Sequence, residues 1–347
     1  MSAHSKSYNT LTPHFHFHLS SAFHPPSSVH RGRRPLIAVI GCGYWGKNLV
    51  RNFHALGALR LVCNRGEAGR ARALEIAPGV EVCGDFESVL ARKEIDAVAL
   101  ATPAETHASM AIAALEAGKD VFVEKPLALT CADGERMQQA AESTGRILMV
   151  GHVLEYHPAF LKLRELIEAG KLGKLQHIHS TRLNFGKIRT EEDALWSLAP
   201  HDIGIVLRLA GEAPGRVTCT GRDFVTPGVI DFAHMDLAFP GGLHAHIHVS
   251  WLHPTKERKL MVVGDKAMAV WDDTAESDAL VLYDQRVERE GDNPSLHQGP
   301  ATAVPFDGEE PLRAECRHFL ECIANRQPPV TDGQHGLNVL KILADAS

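Results

Sequence analysis

An alternation of strand-like and helix-like segments between residues 36 and 150 restricts the fold of this chain more than any other feature. Short apolar runs such as Leu36 to Ile40 and Ala97 to Ala101 are typical of buried strands, and the segments between them repeat their apolar residues at helical spacing. Parallel strands need long crossover connections, which are usually helices. The alternation therefore predicts an N-terminal parallel, doubly wound α/β sheet, in which a ligand binds at the carboxyl ends of the strands.

A glycine-rich turn follows the first predicted strand and opens the first predicted helix. Its sequence, GCGYWG, places Gly41, Gly43 and Gly46 in the pattern GxGxxG. The first glycine permits a tight turn, the second lets the backbone approach a pyrophosphate, and the third lets the helix pack on the strand. The helix N-terminus supplies donors for phosphate oxygens. The turn thus predicts a dinucleotide site to which Tyr44 and Trp45 also contribute.

The residues after the second predicted strand bear on the choice between NAD and NADP. An acidic residue about 20 positions after the glycine motif usually accepts a hydrogen bond from the ribose 2′-hydroxyl of NAD. This chain has Asn64 and then Arg65 at that place. Asparagine can bond the diol without repelling a 2′-phosphate, and Arg65 can attract one, unless it belongs to a solvated helix face. Both cofactors therefore remain open.

Two further strand ends carry polar residues that belong at the same edge of the sheet. Thr102 and Pro103 follow one predicted strand, with His107 at the start of the next helix, and Glu124 and Lys125 follow the next strand. All five are candidates for cofactor binding. A lysine that is partly desolvated at such an edge has a lowered pKa, which suits proton transfer near neutrality. Lys125 is therefore a catalytic candidate, with a surface lysine in a turn as the alternative.

Longer β-type segments replace the alternation after residue 151 and predict an α+β domain with an open antiparallel sheet. Tight connections at 240–242 and 264–266 predict two hairpins. The predicted strands are 175–185, 216–223, 230–239, 243–251, 259–263, 267–272 and 280–283, and the predicted helices are 159–169, 194–209, 310–323 and 336–346. The expected organisation is a disordered tail (1–34), a Rossmann domain (35–151) and a substrate and oligomerisation domain (152–347).

Composition excludes several classes of protein. The formal net charge of −6 argues against a nucleic-acid partner, which requires a basic domain or stripe. No apolar run approaches the roughly 20 residues of a membrane helix. The seven cysteines are scattered without a CxxC pair, which favours reduced thiols in a cytoplasmic chain over disulfides or a structural zinc site.

An ordered set of motifs resembles the Gfo/Idh/MocA oxidoreductase family over about residues 36 to 345. The motifs are GCGYWG, TPAETH, VEKPLA, VGHVLEYHP and LAPHDIGIVLRLAG. The resemblance implies NAD(P)-dependent hydride transfer at a carbinol or carbonyl carbon of a sugar or similar polyol. It also implies a Rossmann domain and a second domain whose open sheet forms a homo-oligomer interface. Lys125 matches the family lysine that takes part in proton transfer or in binding a substrate hydroxyl. His201 matches the histidine of the second domain and is the second catalytic candidate.

One family position differs in this chain, because Ser197 stands where the family usually has aspartate. Serine cannot act as the base and is a weaker acceptor for sugar hydroxyls. Asp202 lies beside His201, but neighbouring helical residues point about 100° apart, so it is not an automatic substitute. Both Ser197 and Asp202 are kept as candidates for substrate binding.

The segment HVLEYHPAFLKLRELI most closely resembles the subgroup that acts on nucleotide-linked amino sugars, including UDP-N-acetylglucosaminuronate 3-dehydrogenases and ketosugar 3-reductases. Glu155, Tyr156 and Arg182 are candidate substrate contacts, and the planar fork of Arg182 suits a carboxylate or phosphate. Ordinary packing or an ion pair is the alternative for Tyr156 and Arg182. The leading hypothesis is a nucleotide-sugar dehydrogenase. The alternatives are an NADPH-dependent ketosugar reductase and a non-catalytic protein, either a dinucleotide-binding sensor or an idle paralogue.

The histidine content, 21 residues, raises the question of a metal site. His244, His246 and His248 alternate along one predicted strand, as His177 and His179 do on another, which places each set on one face of the sheet. Residues four apart on a strand are separated by about 13 Å, whereas zinc binds nitrogens about 2.1 Å away. We therefore expect no metal, and we expect these histidines to lie on a polar sheet face or at an oligomer interface.

Overall fold

The computed structural model describes residues 33–347 except residues 187, 191 and 292. The predicted disordered tail, 1–34, thus falls almost entirely outside the described residues. The chain divides into two compact units. The first contains the described residues up to Pro158 together with Gly308–Leu340, and the second contains Ala159–Asp307 with Lys341–Ser347.

The first unit is built on a parallel six-stranded sheet with the order β3-β2-β1-β4-β5-β6, which confirms the predicted doubly wound fold. The chain reverses its direction of winding between β1 and β4, and ligands bind at such a switch point. The strands are β1 Ile37–Ile40, β2 Leu59–Cys63, β3 Glu81–Cys83, β4 Ala97–Leu100, β5 Asp120–Glu124 and β6 Leu148–Gly151.

Helices connect these strands as the spacing of apolar residues predicts. Thr130 caps α5 by accepting a hydrogen bond from the backbone of Asp133 at 3.1 Å, and Gly145 ends the helix with φ of 63°. The helices are α1 Gly46–Ala55, α2 Glu67–Ile76, α3 Phe86–Leu90, α4 His107–Glu116 and α5 Cys131–Thr144.

Residues 308–340, predicted above as part of the second domain, group with the first unit. The reason is the apolar face of helix α8 (Pro311–Asn325), which joins the core under the parallel sheet. Phe319 of α8 packs edge-to-face on Phe122 of β5 with 5.7 Å between ring centroids. Thr331 extends the contact, because its carbonyl accepts from the Val150 amide at 2.8 Å.

The second unit contains an eight-stranded sheet with the order β14-β13-β12-β11-β7-β10-β9-β8. It is mostly antiparallel, as predicted, but β10 and β7 pair in parallel. The strands are β7 Leu175–Phe185, β8 Arg216–Arg222, β9 Phe232–Ala238, β10 His244–Ser250, β11 Leu252–Gly264, β12 Met268–Asp272, β13 Leu280–Glu290 and β14 Asn293–Ala303. The remaining helices are α6 Pro158–Glu168, α7 Ala194–Ala210 and α9 Gly333–Asp345.

Strand β14 and the second half of β13 are not predicted from the sequence. Strand β14 contains Pro294, Gly299 and Pro300 and lacks apolar alternation, so its pattern is that of a loop. It lies at the edge of the sheet, where proline is tolerated because one side of the strand needs no partner. None of the helices in the described part of the chain combines the length and apolar character of a membrane crossing.

Candidate active site

The glycine turn has the geometry that a dinucleotide requires. A Cβ on Gly41, whose φ is 94°, would lie 2.7 Å from the Ala101 carbonyl oxygen, and a Cβ on Gly46 would lie 2.1 Å from the carbonyl oxygen of Gly41. These two glycines are thus required by the tight turn and by the close approach of α1. A Cβ on Gly43 would meet no atom within 4 Å. The open side at Gly43 is where a pyrophosphate can approach the backbone, so the turn fits the cofactor.

Asn64, at the end of β2, holds the glycine turn in place. Its Oδ1 accepts a hydrogen bond from the Cys42 amide at 2.9 Å, and its Nδ2 donates to the Gly66 carbonyl at 2.8 Å. A side-chain amide has two further hydrogen-bonding positions, so a contact with the ribose remains a prediction. The structural role of this side chain is one that the sequence pattern did not reveal.

The arginines near β2 differ in how they are used. Arg70 donates to the carbonyl oxygens of Asn64 and Arg65 at 2.9 and 2.7 Å, and Arg72 donates to the Cys42 carbonyl at 2.7 Å. The side chain of Arg65 is exposed and makes no hydrogen bond or ion pair with the rest of the described chain. Arg65 is therefore the guanidinium available to an anion at this edge.

His107 joins the turns that follow β4 and β5. Its imidazole is 1% exposed, with Nδ1 2.8 Å from the Pro126 carbonyl oxygen and Nε2 3.0 Å from the Thr102 carbonyl oxygen. Burial lowers the pKa of His107. A neutral ring has one N–H and can donate to only one of these carbonyls at a time. The geometry thus makes His107, predicted to bind the cofactor, a residue that positions the Thr102-Pro103 turn.

Glu124 ends β5 and Lys125 follows it at the same edge of the sheet. Glu124 is buried and accepts a hydrogen bond from the indole of Trp45, which connects the glycine turn to this strand end. Burial raises the pKa of Glu124 to about 7, against the opposing effects of Trp45 and Lys125. Lys125 is half-buried and precedes Pro126 through a cis peptide bond. Tyr44 in the glycine turn is exposed.

Two more carboxylates lie buried in the first unit near Glu124. Neither oxygen of Glu315 has a hydrogen-bond partner in the described chain, and burial raises its pKa well above the usual value, with Glu124 and Glu155 adding to the rise. Glu155 contacts His335 at 2.5 Å. Sequence reasoning did not find Glu315; the available signal was an acidic residue on the apolar face of a predicted helix.

Tyr156, a predicted substrate contact, is 1% exposed. Its hydroxyl lies 3.0 Å from the hydroxyl of Thr331, which donates to the Val150 carbonyl at 2.8 Å. Burial, together with Glu315 and Glu155, raises the pKa of Tyr156. This arrangement corresponds to the packing alternative, and Glu155 is likewise engaged within the unit.

In the second unit, helix α7 carries the residues of the LAPHDI motif. Asp193 caps the helix by accepting from the Trp196 amide at 2.8 Å. Ser197 and His201 are four residues apart and therefore share a face, with Ser197 buried and His201 half-buried.

Asp202 points away from that face and forms a buried ion pair with Arg182 of β7. Its carboxylate accepts from Arg182 Nε at 2.7 Å and Nη2 at 3.2 Å, and from the Ser180 hydroxyl at 2.7 Å. Asp202 is thus occupied on the sheet side and does not replace the acidic residue missing at Ser197. The fork of Arg182, predicted to bind a substrate anion, holds this carboxylate instead.

Six described histidines form one face of three adjacent strands, and we call this surface the histidine face. Residue pairing places His177 opposite His244 and His179 opposite His246 between β7 and β10, and His248 opposite His234 between β10 and β9. The rings of His177 and His246 are 4.9 Å apart between centroids. Within the described chain, no group of three or more potential ligands is arranged to hold a metal ion.

Comparisons with known proteins define the class of this chain. Residues 36–152 match the oxidoreductase family model with an NAD-binding Rossmann fold, and residues 160–270 match the GFO/IDH/MocA C-terminal domain. The chain belongs to the Gfo/Idh/MocA family of oxidoreductases.

Its relatives include enzymes that act on sugars and cyclitols. UDP-N-acetylglucosamine 3-dehydrogenase from Acidithiobacillus ferrooxidans is 29% identical over 304 residues, which cover 87% of this chain and 93% of the relative. The NAD(+)-dependent scyllo-inositol 2-dehydrogenase of Bacillus subtilis is 28% identical, with 87% and 90% covered. The structure of an oxidoreductase from Magnetospirillum magnetotacticum has a TM-score of 0.78 at 31% identity. The match covers 90% of this chain and 100% of that chain.

Proposed function

We propose that this oxidoreductase transfers hydride between a nicotinamide cofactor and a carbinol or carbonyl carbon of a nucleotide-linked amino sugar. The observation that carries the proposal is the placement of the open glycine turn after β1 and of Lys125 after β5 at one edge of the parallel sheet. The similarity to a UDP-N-acetylglucosamine 3-dehydrogenase over most of both chains supports the substrate class.

The chain's own residues supply binding and orientation. The backbone at Gly43 and the N-terminus of α1 receive the phosphates, and Asn64 keeps the turn in this conformation. A bound nicotinamide supplies the hydride acceptor or donor. Glu124 and Trp45 fix the strand end beside it, and His107 fixes the Thr102-Pro103 turn.

Lys125 is the proposed acid–base group. In the direction of oxidation it accepts the proton of the sugar hydroxyl while the hydride leaves the carbon that bears this hydroxyl. In the direction of reduction it returns that proton to the oxygen. His201 of the second unit is the alternative proton acceptor.

The experiment that tests the function offers purified full-length protein UDP-N-acetylglucosamine, UDP-N-acetylglucosaminuronate and scyllo-inositol with each cofactor. We expect a change in nicotinamide absorbance with a nucleotide-linked substrate. Turnover of the inositol alone would contradict the substrate class, and the absence of turnover with any of the three in either direction would contradict the proposed reaction.

Arg65 favours NADP over NAD within this proposal. It lies next to Asn64 at the end of β2, where the 2′-substituent of the adenosine ribose is recognised, and its guanidinium is available. No carboxylate stands at position 64 to repel a 2′-phosphate. NADPH-linked reduction of a ketosugar is therefore the second candidate activity.

Replacement of Arg65 by alanine is expected to raise the dissociation constant of NADPH by about 10-fold to 100-fold, the worth of one charge-assisted contact. The dissociation constant of NADH should stay within about twofold, since NADH lacks the 2′-phosphate. Fluorescence titration of both cofactors measures the effect, and Arg136→Ala, an exposed arginine on α5, is the control. Equal loss of affinity for the two cofactors would overturn the assignment.

Ser197 favours a third candidate, a protein that binds the dinucleotide with little or no catalysis. Ser197 shares a helix face with His201, and Asp202 is held by Arg182 rather than placed beside that histidine. Tight binding of NADPH without turnover in the assay above would support this candidate over the enzyme.

The histidine face is the proposed homo-oligomer surface. Its histidines are partly exposed while alternate residues, such as Ile178 and Ile247, are buried on the other side of the sheet. The face continues onto partly exposed apolar side chains of β11 and β12, including Met261 and Val270. A second copy of this chain can cover such a surface while the imidazoles are neutral.

Assembly is expected to weaken on acidification from about pH 7.5 to about pH 5.5. Burial, and then neighbouring histidines, lower the pKa of His177, His179 and His248 below 6.5. A second copy that covers these imidazoles would bury them further and lower each pKa more than in the separate chain. The assembly is then fully stable above the pKa values of the separate chains and weakens as the pH falls below them. Sedimentation across this pH range measures the oligomeric state. The double variant His177→Gln, His248→Gln should reduce its dependence on pH. An unchanged oligomer at both pH values would contradict the assignment of this face.

A further inference from the structure

Cys63 and Cys83 stand side by side at the ends of β2 and β3. The two strands are parallel, and the register pairs Cys63 directly with Cys83. Neighbouring strands lie about 4.8 Å apart, and disulfides span Cα separations of about 4.4–6.8 Å. Directly opposed residues also direct their side chains to the same face of the sheet. The expected separation of the two Cα atoms therefore lies within the range that a disulfide spans.

The two thiols differ in access. Cys63 is 3% exposed, and burial raises its pKa to about 12, with Cys83 as the next cause. Cys83 is half-buried and donates to the Asp85 carbonyl at 3.6 Å. A small oxidant from solution therefore meets Cys83 first, whereas Cys63 can react only with its neighbour. Part of what raises the Cys63 pKa, the charge of a Cys83 thiolate, disappears once Cys83 is oxidised.

Both cysteines are connected to the glycine turn through their backbones. The carbonyl of Cys63 accepts from the Gly41 amide at 2.8 Å, and the carbonyl of Cys83 accepts from the Asn64 amide at 3.0 Å. Asn64 in turn holds the Cys42 amide through Oδ1. A change in the separation of the two strand ends thus reaches the residues that receive the phosphates and the ribose.

We propose that Cys63 and Cys83 are a redox modification site, at which a hydroperoxide closes a reversible disulfide that weakens dinucleotide binding. The link to the dinucleotide rests on the proposed function, whereas the disulfide itself does not. Transient disulfides of this kind are the form that redox sensing takes in reducing compartments.

The chemistry balances with hydrogen peroxide as oxidant. The Cys83 sulfur attacks one peroxide oxygen, the O–O bond breaks, and the released hydroxide leaves as water with the thiol proton, which gives a sulfenic acid. The Cys63 sulfur then attacks the Cys83 sulfur; the S–S bond forms, the S–O bond breaks, and a second water carries away the hydroxyl and the Cys63 proton. The two thiols together lose two electrons, and one molecule of hydrogen peroxide takes them up and is reduced to two waters.

The direction of the effect follows from distances. A disulfide holds the two Cβ atoms about 3.8 Å apart, whereas the side chains of directly opposed residues extend in the same direction from strands about 4.8 Å apart, so their Cβ atoms start about one strand spacing apart. Closure therefore draws the two Cβ atoms together and strains the strand ends, where the Asn64 amide donates to the Cys83 carbonyl and the Asn64 side chain holds the glycine turn. Coupling between linked sites is reciprocal, so a bound cofactor must oppose closure by the same factor that closure weakens its binding.

The test treats the full-length protein with hydrogen peroxide at mildly alkaline pH and maps peptides without reduction. We expect a peptide pair joined through Cys63 and Cys83, and a rise of about tenfold in the dissociation constant of NADPH that dithiothreitol reverses. Saturating NADPH should slow formation of the linked pair. Cys83→Ser should abolish both the linked pair and the change in affinity.

Cys219→Ser is the matched control, because Cys219 is half-buried on β8 and its partner across the sheet is Met235. This variant should form the Cys63–Cys83 link as the native protein does. Oxidation that stops at a Cys83 sulfinic acid, or a link through Cys42, would overturn the site. A complete link with unchanged cofactor affinity would overturn the coupling between the disulfide and the dinucleotide. A link in a protein that turns over no sugar would contradict only the proposed function and would still support the disulfide site.

Discussion

Replacing Lys125 with methionine is expected to lower kcat by about 10²–10⁴-fold, the range that a positioned acid–base group contributes. Methionine preserves the length of the side chain and removes the group that exchanges the proton. Because the proposed phosphate site is the backbone near Gly43, the dissociation constant of the cofactor should change little. Steady-state kinetics with the best nucleotide-linked sugar, combined with cofactor titration, separates the two effects.

Lys125→Arg sharpens this test. Arginine keeps the positive charge but cannot release a proton at any accessible pH. If Lys125 moves the proton, the arginine variant is as slow as the methionine variant; if Lys125 only attracts the substrate, arginine restores most of the rate. Lys93→Met, an exposed lysine in the same unit, should be unaffected. Turnover of Lys125→Met within about threefold of the native enzyme would show that another group, such as His201, carries the proton.

Replacing Asp202 with alanine is expected to lower the free energy of unfolding of the second unit by about 3–5 kcal/mol. Asp202 is 2% exposed and Arg182 is 11% exposed, and their side chains meet at 2.7 Å. Loss of the carboxylate leaves a buried guanidinium without its counter-charge and removes the acceptor for Ser180. Urea unfolding followed by circular dichroism measures the change.

The double variant Arg182→Leu, Asp202→Leu should recover much of that loss, because an apolar pair of similar volume often replaces a buried ion pair at little cost. Asp236→Ala is the control, since Asp236 pairs with His246 while both are partly exposed, and such pairs contribute about 0–1 kcal/mol. A large rise in KM for Arg182→Leu without a loss of stability would restore Arg182 as a substrate ligand.

The first sheet and its ligand edge could be predicted because their signals are local. The GxGxxG pattern predicts a tight turn by itself. The atoms that exclude a side chain at Gly41 and Gly46 lie within a few residues or directly after an adjacent strand. Helical spacing likewise identifies each crossover without knowledge of the rest of the chain. The prediction of a parallel sheet followed by an antiparallel one is confirmed for these reasons, except that β7 and β10 pair in parallel.

The features that escaped prediction depend on which surfaces meet. The sequence pattern of residues 311–325 predicts a helix but does not indicate that it packs on the parallel sheet. The proximity of Glu315 to Glu124 could therefore not be predicted. The partner of Arg182 lies 20 residues away on another element, so its candidate role as an anion ligand could be judged only from the structure. The roles of Lys125 and His201 remain predictions.

The buried carboxyl groups of the first unit give its folding a proton balance of its own. Glu124 and Glu315 hold protons more firmly in the folded chain than in the unfolded one, because burial raises the pKa of both. Because of these two groups folding takes up protons, and the stability that Glu124 contributes is complete below its usual pKa of 4.5 and is lost as the pH rises from there to about 7. In the second unit His177, His179 and His248 act in the opposite sense, because burial lowers the pKa of each and folding in acid therefore releases their protons. The buried carboxyl groups of the first unit and the imidazoles on the sheet of the second thus respond to acid in opposite directions.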